Sequence, residues 1–415
     1  LKKFRKIMNC VPIAIGIKIR DTGTDNRQLI TMNVYFDNAA TTNLDPLVLK
    51  EMLTILEGKN GNPSSIHAYG REAKAIVEKA RKNVAKFLNC SPSEIFFTSG
   101  GTEADNMAIR SAVEAYNIKH IITSPLEHHA VLHSIEDLEK KGLVKVSHVK
   151  LHKNGHIDLA DLERLLKEPP NSLVSLMHAN NEIGNLLPIE EVGELCAKYK
   201  AIFHSDTVQS VCHYAIDLQK IKVDFITGAA HKFHGPKGSG FLYIRNSVKV
   251  PPLIYGGGQE RNMRGGTENV AGIVGLSKAM EMAHAEMKEH AAHIQGIKDY
   301  MLNRLEKEIP GTEFNGDAKG NSLYTVLNVM FPPTDDAEML LMNLDINGIA
   351  ASAGSACSSG SSVGSHVIAA LCKNVSNRAV IRFSFSKNST KEEVDFVMEK
   401  LKEIFVLEKA KIANS

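Results

Sequence analysis

The chain of 415 residues has no tryptophan, and aromatic side chains of all kinds make up only 6% of it. No concentrated basic tract interleaved with aromatics occurs, so a nucleic-acid-binding surface has no support. The six cysteines, Cys10, Cys90, Cys196, Cys212, Cys357 and Cys372, lack paired short spacing. That excludes a disulfide framework and a zinc knuckle, and it points to a reducing, cytoplasmic setting. No apolar run reaches the length of a membrane span, so no membrane partner is expected. A formal charge of +2 favours neither acidic nor basic partners, and 43% hydrophobic residues is ordinary for a globular chain. The length exceeds what one small core can hold and suggests either several domains or one large α/β domain with an appendage.

The N-terminus imitates a signal peptide, with Lys2-Lys3-Phe4-Arg5-Lys6 ahead of an apolar stretch from Ile7 to Ile17. Asn9 and Pro12 interrupt that stretch, Lys18 and Arg20 follow it, and no small-x-small cleavage site is present. Met32 stands just before the first motif. Residues 1–31 therefore read as an extension outside the natural start, poorly ordered.

From there, short β-branched and aromatic runs alternate with helical patterns. Val34-Tyr35-Phe36 reads as a strand that ends in the turn Asp37-Asn38-Ala39-Ala40-Thr41-Thr42. Asp45-Pro46 opens an amphipathic helix with Val48, Leu49, Met52, Leu53 and Leu56 on one face. Continued alternation implies β-α units and a mainly parallel sheet. A glycine-rich loop at 256–269 reads as lying over a site or at a subunit contact. Beyond residue 290 the pattern reads as a smaller α/β unit.

Three stretches carry chemistry. Ile95 to Thr98 reads as a strand running into Gly100-Gly101-Thr102 and a helix start, which is either a plain turn or an anion site made of unpaired N–H groups and a hydroxyl. Two further strands close on polar residues, His204-Ser205-Asp206-Thr207-Val208-Gln209 and Phe225 through to His231-Lys232. Open α/β sheets bind ligands at strand ends. Pyridoxal phosphate chemistry needs one lysine amine for a Schiff base and one carboxylate to keep the ring nitrogen protonated. Lys232 and Asp206 are candidates for those two roles, against the alternative of ordinary surface residues. His128 is either a loop histidine or a flat ring set against a cofactor. His129 and His133 share a helix face, but a zinc site lacks a third ligand, and no metal is expected. Cys357 lies in Ala351 to Ser365, a segment of almost only small residues, and is either incidental to a linker or an exposed, movable nucleophile. Arg382 is either a salt-bridge residue or a clamp for a substrate carboxylate.

Taken together, Lys232, Asp206, Gly100-Gly101-Thr102, Cys357 and Arg382 resemble the cysteine desulfurases of the NifS/IscS type, in the class V aminotransferase family of fold-type I pyridoxal phosphate enzymes. The resemblance runs from about Tyr35 to the C-terminal helix. It implies an α/β fold: a large domain over 42–289 with a mainly parallel seven-stranded sheet flanked by helices, and a smaller domain from 32–41 and 290–415 that carries the cysteine segment. It implies that Lys232 holds the cofactor and shuttles the α-proton, that Asp206 pairs with the ring nitrogen, and that Gln209 bonds the ring oxygen. By the same resemblance His128 stacks on the ring. Gly101, Thr102 and His231 bind the phosphate, with Thr267 supplied by the other subunit of a homodimer. Asn181 and Arg382 hold L-cysteine, and Cys357 accepts its sulfur for delivery to an acceptor such as an iron–sulfur scaffold. A selenocysteine lyase, another aminotransferase or a non-catalytic scaffold are the alternatives. One departure stands out. The family has a phosphate-binding serine three residues before the lysine, where this chain has Ala229, so the cofactor is held less tightly unless water or Thr227 compensates.

Overall fold

The computed structural model describes residues 32–415 apart from 59, 169–170, 335, 355–363, 372–374 and 414–415. The extension 1–31 and Cys357 lie outside the described residues. The chain opens with β1 (Val34–Tyr35), α1 (Pro46–Gly58) and α2 (Ala68–Phe87). The expected alternation follows: β2 (Ile95–Thr98), α3 (Gly101–Tyr116), β3 (His120–Thr123), α4 (His129–Lys140), β4 (Lys145–His148) and α5 (Leu159–Leu166). It continues through β5 (Ser172–Ser175), α6 (Ile189–Tyr199), β6 (Ile202–Asp206), β7 (Phe225–Ala229) and β8 (Gly240–Ile244).

Strands β2 to β8 make one seven-stranded sheet in the order β2-β8-β7-β6-β5-β3-β4. Neighbours are parallel from β4 to β7, and β8 alone runs antiparallel to both β7 and β2. Both faces are covered, which is why these strands read as unbroken apolar runs. Alternate residues go to opposite faces: Ile95, Phe97 and Ile226 join one core cluster, while Phe96 and Phe225 join another beneath α3. Each such side chain contributes roughly 1.5–3 kcal/mol by leaving water. Ala104 and Ala108 let α3 lie close on the sheet. Gly228 serves the same closeness on β7, since a Cβ there would stand 2.2 Å from the Phe241 ring.

The remaining elements are α7 (Val270–Ala285), α8 (Met287–Glu308), β9 (Glu313–Phe314), β10 (Val326–Met330), α9 (Leu340–Ile346), β11 (Ile349–Ala350), α10 (His366–Ala370), β12 (Val380–Ser384) and α11 (Lys391–Ala413). β10 pairs antiparallel with both β12 and β9, and β1 pairs parallel with β11. Further bridges join Asp37 to Ser384 and Ser352 to Arg382. The turn after β1 is thereby stitched to the C-terminal strands, beside Arg382.

Helix α1 packs differently from the apolar face read in the sequence. Val48 is buried there, but Leu49, Leu53 and Leu56 are 44%, 42% and 63% exposed. Periodicity identifies an apolar face without saying what covers it. Among the described residues no helix is long and apolar enough to cross a membrane.

Candidate active site

The carboxyl ends of the parallel strands β3, β5, β6 and β7, with that of β2, open onto one edge of the sheet, the place where open α/β sheets bind ligands. A cavity of about 220 Å³ lies there. Gly101, Thr102, His128, Asn181, Asp206, Gln209, His231, Lys232 and Arg382 all line it. Residues from six separate stretches of chain thus converge on it. Thr267 does not line this cavity; it borders another, of about 140 Å³, with Ser99 and Ser239.

Lys232 sits one 3-10 turn (Ala230–Lys232) beyond the end of β7. Its Nζ donates to the carbonyls of Ala39 and Ala40 at 2.6 and 2.9 Å, and the Gln209 amide donates to the same Ala39 carbonyl at 3.0 Å. The turn after β1, read from the sequence only as a chain reversal, is therefore the wall that aims the lysine. His231 contacts the Thr41 hydroxyl through Nδ1 at 3.2 Å, and burial, then the neighbouring Lys232, pushes its pKa down to about 4. A neutral imidazole results, able to donate through one ring nitrogen.

His128 is the N-cap of α4, and its Nδ1 accepts from the Ala130 N–H at 3.1 Å. That bond leaves the ring's proton on Nε2, and burial holds the pKa below the usual histidine value. At the start of α3, Gly100 supplies no side-chain cap. The N–H groups of the first turn, together with the Thr102 hydroxyl, are available to an anion at the positive end of the helix.

Asp206 closes β6 and accepts from the Val208 N–H at 2.8 Å. It is 5% exposed, and burial followed by the nearby Asp105 raises its pKa to about 6. Asp105, one turn into α3, is likewise raised by burial, to about 7. Its Oδ1 lies 3.3 Å from Nε2 of the buried His204, whose Nδ1 meets the Ser175 hydroxyl at 2.8 Å. Asp105 escaped the sequence reading, although a carboxylate among Ala104, Met107 and Ala108 on the buried face of a helix is a readable anomaly.

Carboxylates raised by burial make the cofactor-free fold more stable when protonated. That stability is full below about pH 4 and is lost as pH rises through 6 to 7. Asp206→Asn is expected to raise the melting temperature of the cofactor-free protein at about pH 8 and to give no gain at about pH 4. Thermal unfolding at the two pH values checks this, and a destabilised variant at the higher pH would contradict it.

Arg382, on β12, is 1% exposed. Nη1 donates to the Asn181 carbonyl at 3.0 Å and Nη2 to Asp37 Oδ1 at 2.8 Å. Its Nε is buried and has no partner among the described residues. Arg382 lines the cavity, so its guanidinium sets a positive charge beside a carboxylate bound there.

The class V aminotransferase family model matches residues 34–397. The chain belongs to the class V aminotransferases. Among curated relatives of this class V aminotransferase, a "Cysteine desulfurase IscS" of Dictyoglomus turgidum is 42% identical over 374 residues, covering 89% of this chain and 94% of the relative. A solved "NifS-like protein" is 40% identical, with a TM-score of 0.84 over 91% of this chain and all of that one. A second solved structure, "SspA in complex with cysteine", is 32% identical with a TM-score of 0.73 over 86% of this chain and all of the other. The seven-stranded sheet is that of the fold-type I enzymes.

The family implies pyridoxal phosphate, and the residues fit it. An uncapped helix N-terminus suits a phosphate, a buried carboxylate with a raised pKa suits a ring N–H, and a lysine reaches the same cavity. Thr227 does not take the place of the missing serine. Its hydroxyl is fully buried, lies 3.5 Å from Asp206 Oδ1 and is not part of the cavity lining, whereas Ala229 is. Both residues share one face of β7, and the hydroxyl stands two positions too early. Ala229→Ser is expected to tighten cofactor binding by about 1.5–3 kcal/mol, a factor of roughly ten or more in Kd. Equilibrium dialysis against pyridoxal phosphate measures it, and an unchanged Kd would show that another group already satisfies the phosphate.

Proposed function

We propose that this class V aminotransferase is a pyridoxal phosphate-dependent cysteine desulfurase that converts L-cysteine to L-alanine and leaves the sulfur as a persulfide on Cys357. The observation that carries the reading is the convergence of Lys232, Asp206, His128 and Arg382 on one cavity. The relatives named cysteine desulfurase and the similar protein solved with cysteine support the choice of substrate over the selenocysteine lyase, aminotransferase and scaffold alternatives.

Bound pyridoxal phosphate supplies an electron sink that makes a substrate α-proton removable. Lys232 would hold the cofactor, and its Nζ would carry the α-proton. Asp206 would keep the ring nitrogen protonated, Gln209 would bond the ring oxygen, and His128 would face the ring. Gly101, Thr102 and His231 would bind the phosphate. Arg382 would hold the substrate carboxylate, its guanidinium fixed by Asp37 and the Asn181 carbonyl, and Asn181 lines the same cavity. The Cys357 thiolate attacks the substrate sulfur. An S–S bond forms, the C–S bond breaks, and its electron pair stays with the carbon that becomes the alanine methyl. One L-cysteine and one enzyme thiol give one L-alanine and one enzyme persulfide, with no outside oxidant.

The protein works as a homodimer in this reading. The exposed Leu47, Leu49, Leu53 and Leu56 of α1, with Ile66 and Tyr69 nearby in sequence, form apolar surface of the kind a second copy covers. Thr267 then reaches the second copy's phosphate, which accounts for its place outside this chain's own cavity. The persulfide passes to an acceptor such as an iron–sulfur scaffold in the cytoplasm. Incubating the cofactor-loaded protein with L-cysteine tests the activity: alanine and sulfide equivalents are expected to appear in equal amounts, and L-cysteine recovered unchanged would refute it.

A further inference from the structure

The first turn of α3 carries a charge of the wrong sign for a phosphate. Glu103 is the third residue of the helix, directly after Thr102, and its Oε2 reaches back to accept from the Ser99 N–H at 3.1 Å. Such a carboxylate suits the bare helix, whose N-terminus attracts negative charge, and for the same reason it opposes any other anion held at that end. Its side chain is only 12% exposed, so water screens it poorly. The compensating charge comes from a distant part of the chain. Arg264, in the glycine-rich loop at 256–269, donates from Nε to Glu103 Oε1 at 2.9 Å and from Nη2 to Oε2 at 3.2 Å, the two-pronged geometry that favours a carboxylate. Burial by itself would raise the Glu103 carboxyl, but Arg264 and the Ser99 N–H hold it below its ordinary value, so the pair is ionised at neutral pH. Of the other charged groups in the loop, Glu260 is held by Arg81 at 2.7 and 2.8 Å, and Arg261 donates to the carbonyls of Pro92, Ser93 and Ile95. Glu268 faces Arg264 only as a further negative charge. Arg264 is thus the loop's cation committed to the start of α3.

We propose that Arg264 is a positioning residue for the cofactor's phosphate, cancelling the charge of Glu103 so that the N-terminus of α3 keeps its attraction for a phosphate dianion. The inference rests on pyridoxal phosphate binding with its phosphate at the first turn of α3. Two routes lead from Arg264 to that phosphate. One is the cancelled charge; the other is simple anchoring of the loop that also carries Thr267. They differ in what a second substitution does. Removing the Glu103 charge from a protein that already lacks Arg264 leaves the loop unanchored but restores the balance of charge, so affinity returns only if charge is the route. The phosphate itself supplies a second discriminator, because pyridoxal offers the same ring and aldehyde without the dianion.

The test measures the Kd of pyridoxal phosphate and of pyridoxal for the cofactor-free full chain by equilibrium dialysis. Arg264→Ala is expected to weaken pyridoxal phosphate by about tenfold and pyridoxal by no more than about twofold. Arg264→Ala combined with Glu103→Gln is expected to bind pyridoxal phosphate within about threefold of the wild type. Glu103→Gln alone leaves the arginine unopposed and is expected to tighten pyridoxal phosphate by about threefold or more; it decides the matter should Arg264→Ala fail to fold. Equal losses for the two ligands in Arg264→Ala, a double variant as weak as Arg264→Ala, or weaker binding of pyridoxal phosphate by Glu103→Gln would overturn the proposal. A wild-type chain that binds pyridoxal as tightly as pyridoxal phosphate would instead overturn the phosphate site on which it rests.

Discussion

Lys232→Ala lowers alanine production from L-cysteine by about a thousandfold or more, the range expected when a positioned proton-transfer group is lost together with a covalent anchor. Lys232 is the sole lysine among the described residues lining the cavity, so no second amine stands ready to replace it. Lys232→Arg is expected to be as inactive as the alanine variant. A guanidinium keeps the charge and can still donate to the Ala39 and Ala40 carbonyls, but it does not deprotonate and cannot serve as a base or a nucleophile. Comparing the two variants separates chemistry from folding: both keep the fold, which far-ultraviolet circular dichroism checks, and both lose turnover. An arginine variant within tenfold of the wild type would show that only the charge matters.

The features that were legible in the sequence are those that announce themselves locally. Asp206 and Lys232 stand where apolar strands stop, and the β-α alternation fixes on which edge of a parallel sheet such residues emerge. The start of α3 was readable for the same reason, a strand followed by two glycines and a helix. What the sequence hid are pairs far apart in the chain. Asp37 meets Arg382 across 345 positions and Ser365 meets Glu182 across 183, and neither pair leaves a local pattern. Helix α1 shows another limit, since its leucines mark an apolar face but point away from this chain's core. Thr227 shows a third: a hydroxyl near the right place in sequence can be committed elsewhere, here to Asp206.

Cys357→Ala is expected to abolish persulfide formation and to bring alanine release down by about two orders of magnitude or more, because none of the other described thiols is fit to take over. Among the described cysteines, burial pushes Cys90 up to about 12 and also raises Cys196 and Cys212, so these remain thiols and poor nucleophiles at neutral pH. Cys357 lies outside the described residues, in a segment of mostly small residues. The mass of the intact protein after brief exposure to L-cysteine, with peptide mapping of the 351–365 segment, tests the central claim most directly. The account predicts one added sulfur atom on Cys357, removed by a thiol reductant and absent in Cys357→Ala. Unmodified Cys357 in a protein that has released alanine would contradict it.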